Sequence, residues 1–256
     1  MSSQSIPKLL KLKDYITLIG TTLGIIALVC ACIGHRALLS LGFFLVTVSL
    51  GTDMVDGYIA RKTQTVNEMG KEMDSLSDSL TFGIAPAILV YQSFKTNTFF
   101  DIVIVFGSIC FAIGAILRLA RFNISENPGY TGVPTPISAL VIVTFFYANY
   151  FFSFAAGTFY IFSPYLIPVI MILVGWFNIT TYIHFGEKDK ATYLLFIIVA
   201  PLCPIFGIIG LSSPNDIISI IVSIFFIGSF LSLMIAIIRG FFLYFRYKNK
   251  NNHTIT

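Results

Sequence analysis

SLGTDMVDGYIARKTQTVNEMGKEMDSLSDSL, residues 49–80, decides how the chain is read. Asp53, Asp56, Gly57, Ala60 and Arg61 stand at i, i+3, i+4, i+7 and i+8, so on a helix they form one stripe. Gly70, Asp74 and Asp78 follow at steps of four and form a second stripe. The polar run KTQTVNEM, residues 62–69, reads as the connection between two antiparallel helices whose stripes face each other.

Those helices belong in lipid. Of the 256 residues, 56% are hydrophobic and 11% charged, and the mean hydropathy is +0.87, which leaves too little polar surface to cover a soluble globule. A bilayer core asks about 20 apolar residues of each helix, and eight stretches qualify: roughly 15–34, 37–60, 75–94, 98–120, 134–156, 159–182, 191–212 and 215–243. The expected fold is an all-α integral membrane protein of about eight transmembrane helices, preceded by a short interfacial helix at 1–13 where Ile6, Leu9, Leu10 and Leu12 interleave with lysines. With both ends cytoplasmic, only Arg36 and Lys95 of the sixteen Lys and Arg fall outside, as the positive-inside rule requires. The net charge of +4 is then topogenic and gives no ground for nucleic-acid binding.

No linker or repeat divides the chain, so residues 1–246 read as one membrane domain and 247–256 as a flexible tail. Residues 14–140 hold nearly all the intramembrane polar groups, and 141–246 are apolar and aromatic, their Phe and Tyr reading as lipid-facing bulk. The first helix reads as uncleaved. Cys30, Cys32, Cys110 and Cys203 lack metal-ligand spacing and read as small core residues, and His35, His184 and His253 as solvated.

Four carboxylates brought together in a membrane need neutralising, since each charged residue at a helix centre costs about 2.5–3.5 kcal/mol on insertion scales. Two divalent cations balance four aspartates, and hard oxygen ligands suit Mg²⁺, Mn²⁺ or Ca²⁺. Such a pair can clamp the attacking and leaving oxygens of a displacement at phosphorus, while Gly57, Ala60 and Gly70 let a bulky phosphate ligand approach the backbone. Aspartates facing each other across helices also mark ion pathways, but those distribute ligands along a route through the bilayer, commonly with inverted repeats. The clustering at one face disfavours a transporter.

The eight positions spell D-x2-D-G-x2-A-R-x8-G-x3-D-x3-D, a pattern that resembles the CDP-alcohol phosphotransferase family. The resemblance implies a six-helix core, a homodimer and a CDP-lipid bound at the cytoplasmic membrane surface. It implies that Asp53, Asp56 and Asp74 ligate metal, Mg²⁺ or Mn²⁺, and that Asp78 touches metal and serves as general base. Gly57, Ala60 and Gly70 would line the cytidine pocket, with Arg61 fixing that end. The blocks DSLSDSLTFGIAPAILVY (74–91), LRLARFN (117–123) and GVPTP (132–136) look like membrane-embedded phosphatidylserine synthases and archaetidylserine synthases. That implies L-serine as acceptor and CDP-diacylglycerol or CDP-archaeol as donor, with glycerol 3-phosphate or an inositol phosphate as alternative acceptors wanting a richer cationic pocket. Arg118 and Arg121 share a helix face, with Asn123 just beyond. They read either as topogenic anchors or as ligands of the acceptor or of the donor's diphosphate. The chain departs from the family pattern at the first helix, where Lys13-Asp14 precedes Thr17 in place of the Pro-Asn that many members carry.

Overall fold

The computed structural model describes residues 10–63, 68–125, 130–185, 190–212 and 215–252. The eight predicted spans appear as eight helical rods: α1 (Leu12–Ile33), α2 (Arg36–Thr63), a composite third rod of α3 (Glu68–Asp78), a π turn (Ser79–Ile84) and α4 (Ala85–Phe94), then α5 (Asp101–Ile124), α6 (Thr135–Ala156), α7 (Ser163–Ile179), α8 (Lys190–Leu211) and α9 (Asp216–Asn252). Among the described residues, five are long and apolar enough to cross a bilayer unaided: α1, α2, α5, α6 and α9. Their outward faces carry exposed Ile and Val, such as Ile25, Val29, Ile109 and Ile221, as lipid contact demands. The interfacial helix expected at 1–13 lies mostly outside the described residues. The last helix continues to Asn252, past the end at 246 that the polar composition indicates.

Helix pairing follows small residues. α1 packs along α2, α5 against α7, α6 against α9 and α2 against α8. The α5–α7 contact is backbone to backbone, for a Cβ at Gly175 would lie 2.6 Å from the Cys110 carbonyl oxygen. Without a hydrophobic drive between helices in lipid, such close approach is what dispersion attraction needs.

α6 is the central helix, and here the sequence reading needs correction. Its aromatic residues are core, not lipid-facing bulk: Phe146, Tyr147 and Phe151 are buried, Phe43 stacks on Phe146 with centroids 3.9 Å apart, and Phe226 of α9 stacks on Tyr147 at 5.1 Å. The Tyr147 hydroxyl donates to the Ser40 carbonyl at 3.0 Å, so the ring's one polar atom is satisfied. At the far end of α2 from the aspartates, the Arg36 guanidinium lies 4.7 Å from the Phe154 ring centroid and bonds Ser153, tying α2 to the end of α6. Of the cysteines, Cys30 and Cys203 are buried, whereas Cys32 is exposed.

Two local features set the geometry around the aspartates. Pro86 has no N–H for the carbonyl four residues back and its ring crowds that carbonyl. The helix widens just before it, and the Ala85 N–H bonds the Leu80 oxygen, five residues back. The second feature is a two-residue antiparallel ladder, β1 (Tyr130–Thr131) with β2 (His184–Phe185). Together with the Val133 N–H bond to the Phe177 carbonyl at 3.0 Å, it pins the start of α6 to the end of α7. Pro134 and Pro136 flank the first residue of α6, where a missing N–H costs nothing.

Candidate active site

The two aspartate stripes do face each other, with α1 as a third wall that the sequence reading left out, since α1 packs on both α2 and α3. One carboxylate oxygen each from Asp53, Asp56 and Asp74 lies within 4.8 Å of the others. Asp78 stands outside that trio but lines the same narrow cleft. Asp56 is the most enclosed, 6% exposed, and Asp53, Asp74 and Asp78 are half-buried. A convergent set of hard anionic oxygens at this spacing is the donor chemistry of Mg²⁺ or Mn²⁺. The residues therefore fit the metal that the sequence implies.

α1 contributes more than a wall. The Thr17 hydroxyl donates to Asp56 Oδ2 at 2.7 Å, and Thr21 and Ser77 share a 2.8 Å hydroxyl bond that joins α1 to α3. Gly20 permits the approach, because a Cβ there would meet Thr52 Oγ1 at 2.6 Å. Below Thr17, Lys13 is 8% exposed, and its ammonium lies 3.2 Å from Asp14 Oδ1. Asp14 reaches back to accept from the Lys11 N–H at 2.7 Å, which caps the helix start. The Lys13 charge acts on Asp56 and Asp74. The charge of Arg118, on α5, acts on Asp53 and Asp78. Each of the four carboxylates thus feels the charge of one of two cations.

The remaining predicted residues divide. Arg118, 7% exposed, donates to Thr135 Oγ1 at 3.0 Å and approaches the face of Phe122. Arg121 turns away to the end of α7, donating to the Ile179 carbonyl at 2.6 Å and the Asn178 carbonyl at 3.2 Å, where a cation meets the negative end of the helix dipole. Asn123 fastens α5 to α3: it accepts from Ser75 at 3.0 Å, and its carbonyl takes the Lys71 ammonium at 2.7 Å. Gly57 is half-buried and Gly70 buried, one turn from the carboxylates and outside the lining of the cleft. Ala60 and Arg61 lie in α2, with side chains outside the described residues.

Sequence reasoning did not assign Thr17, Gly20, Ser49, Thr52, Ser77 and Thr81 to the site, though all line the cleft. Thr17, Gly20 and Thr21 share a helical face, a usable signal, but one that many packing faces also give. Thr81 is buried with no hydrogen-bond partner for its hydroxyl.

Comparison with known proteins agrees with this geometry. The family model for CDP-alcohol phosphatidyltransferase matches residues 10–227. A CDP-diacylglycerol–serine O-phosphatidyltransferase of Methanocaldococcus jannaschii is 38% identical over 141 residues, 55% of this chain and 63% of that protein. An archaetidylserine synthase of Methanothermobacter thermautotrophicus is 31% identical over 161 residues, 61% of this chain and 66% of that protein. A CDP-diacylglycerol–serine O-phosphatidyltransferase of Bacillus subtilis is 39% identical over 100 residues, 37% of this chain and 55% of that protein. The chain thus spans just under two-thirds of the two archaeal relatives' length. A match over residues 10–227, most of the chain, means that the protein belongs to the CDP-alcohol phosphatidyltransferase family.

Proposed function

We propose that the chain transfers a phosphatidyl or archaetidyl group from a CDP-activated lipid to L-serine and releases CMP. The observation that carries the reading is the position of Asp78 in the cleft of the Asp53, Asp56 and Asp74 trio, under the charge of Arg118. The serine oxygen forms a bond to the lipid-bearing phosphorus as the bond from that phosphorus to the bridging oxygen of CMP breaks. A serine hydroxyl is a poor nucleophile at neutral pH, so Asp78 takes its proton as the new bond forms. Asp53, Asp56, Asp74 and Asp78 would hold the Mg²⁺ or Mn²⁺, and a bound pair of ions would neutralise diphosphate charge and ease departure of CMP. Gly57, Ala60 and Gly70 line the cytidine pocket near Arg61. The apolar walls keep out water, which would otherwise compete with serine for the donor.

In this reading six of the helices form the catalytic core of a homodimer, both termini and the cleft face the cytoplasm, and the donor enters from the bilayer. The names of the relatives support serine over glycerol 3-phosphate or inositol phosphate. Family membership argues against the ion-pathway alternative.

The test is CMP release by purified protein in detergent with CDP-diacylglycerol, Mg²⁺ or Mn²⁺, and each acceptor in turn. Release that needs both serine and metal is expected. Release with another acceptor alone would overturn the serine assignment, and absence of release with both CDP-diacylglycerol and CDP-archaeol would overturn the reaction.

A further inference from the structure

We propose that Thr81 is a positioning residue for Asp78, acting through one water molecule held at the closed end of the cleft; the inference rests on the reading of Asp78 as general base. Contacts along α1 mark depth in the cleft. From its start inward, Thr17 bonds Asp56, Gly20 faces Thr52, Thr21 bonds Ser77, and Gly24 faces Thr81 so closely that a Cβ there would overlap Thr81 Oγ1. The carboxylate trio therefore stands toward one end, while Ser49, Thr52, Thr81 and Phe82 close the other. Asp78 lines the cleft between them, three residues and about one helical turn from Thr81.

Thr81 is 1% exposed, and its hydroxyl has no hydrogen-bond partner in the protein. Hydroxyls on helices commonly return to their own backbone. Those of Thr22, Ser79 and Ser229 donate to the carbonyl four residues back at 2.8, 2.7 and 2.9 Å. Thr81 lies in the widened turn Ser79–Ile84 and makes no such bond, so its hydroxyl is left to the cleft that it lines. A buried hydroxyl is rarely unpaired unless a ligand or water takes it.

The neighbours favour water, and the cleft has room for about one such molecule. Thr52 donates its hydrogen to the Ser49 carbonyl at 2.9 Å, and Ser49 donates its own to the Gly20 carbonyl at 3.2 Å. Thr52 can then only accept, as can an ionised Asp78, whereas Thr81 can donate. A water that accepts from Thr81 and donates to Thr52 Oγ1 and Asp78 has three partners, the usual number for a buried water. Side chains three residues apart on a helix have Cβ atoms about 5–6 Å apart, a span that two hydrogen bonds through one water bridge. With both protons committed, this water is a fixed part of the site. It holds the Asp78 carboxylate from the closed end and leaves the remaining lone pairs to face the acceptor.

The experiment measures CMP release by the full chain in detergent, with Mn²⁺ retention on equilibrium dialysis as a second readout. Thr81→Val keeps the shape and removes the hydroxyl. It should lower kcat about 10–100-fold, the loss expected when a supporting partner is removed or a reacting group shifts by about 1 Å, with both KM values within about twofold and Mn²⁺ retained. Thr81→Ser should stay near the parent, and Thr81→Ala, which needs no new space, should show the same loss if the valine variant fails to fold. In an Asp78→Asn background Thr81→Val should add almost nothing, because a residue that acts through Asp78 loses its effect with it. Equal loss in the two backgrounds, or an unchanged kcat in the hydroxyl-free variants, would refute the inference. So would a raised KM in place of the lower kcat, or lost Mn²⁺ retention. The comparison runs with whichever acceptor supports release, so failure of the serine assignment leaves it intact. Substantial turnover by Asp78→Asn would overturn the base and this inference together.

Discussion

Thr17 on α1 donates a 2.7 Å hydrogen bond to Asp56 on α2, across 39 residues of sequence and within the cleft that holds the other aspartates. A carboxylate fixed by a neighbour presents its free oxygen in one direction. Metal ligands depend on such partners, whose loss costs about 10–100-fold in affinity or activity. Thr17→Val should therefore raise the Mn²⁺ concentration for half-maximal CMP release about tenfold or more, and Thr17→Ser, which keeps the hydroxyl, should stay near the parent. Equal metal dependence in all three proteins would dismiss Thr17 as a positioning residue.

Asp78 and Asp53 should fail in different ways. Asp78→Asn keeps size and removes the base, so kcat should fall about 10²–10⁴-fold with the KM for CDP-lipid changed only a few-fold. Asp53→Asn breaks the trio of oxygens and should weaken metal binding, seen as lost Mn²⁺ retention on equilibrium dialysis. Substantial turnover by Asp78→Asn would remove it as the base.

Lys13 and Asp14 form an ion pair in which both side chains are almost wholly enclosed. Removing one partner of a buried pair leaves an uncompensated charge, at a cost of about 3–5 kcal/mol, whereas replacing both can be close to neutral. Lys13→Met should lower the thermal midpoint in detergent clearly, and Lys13→Met with Asp14→Asn should recover most of the loss. If the double variant is no better than the single, the pair is not coupled as the 3.2 Å contact implies.

Gly175→Ala tests the α5–α7 contact. The added methyl would have to occupy space 2.6 Å from a backbone oxygen, and backbone cannot yield as a side chain does. Overpacking of this kind costs about 1–3 kcal/mol, so a lower melting temperature is expected. An unchanged midpoint would mean that the helices separate freely there.

The spans and the aspartate stripes were legible because length, hydropathy and helical spacing are local properties of the chain. The direction in which each apolar helix turns was not. Lipid tails and a protein core are equally apolar, so hydropathy alone cannot tell that Tyr147 and Phe151 face inward while Ile109 faces outward. For the same reason α6 and α7 read as featureless, though Thr135 meets Arg118 and Asn178 accepts from Ser138. Lys13 and Asp14 were visible as a departure from the family pattern. Their inward placement beneath Thr17 depends on how α1 rotates against α2 and α3, and that rotation follows from Gly20 and the hydroxyls opposite it.

The π turn at Ser79–Ile84 gives the third rod an angular setting. Each residue of an α-helix advances about 100° around its axis, so a five-residue loop of hydrogen bonding in place of four changes the phase between α3 on one side of the turn and α4 on the other. Asp74 and Asp78 stand on the α3 side; Leu89, Val90 and Phe94, which anchor α4 in the core, stand on the other. The carboxylates are therefore indexed to the core through the residues between 79 and 84. A one-residue deletion there would reset that phase and swing both aspartates off the cleft, with every ligand side chain still present in the sequence.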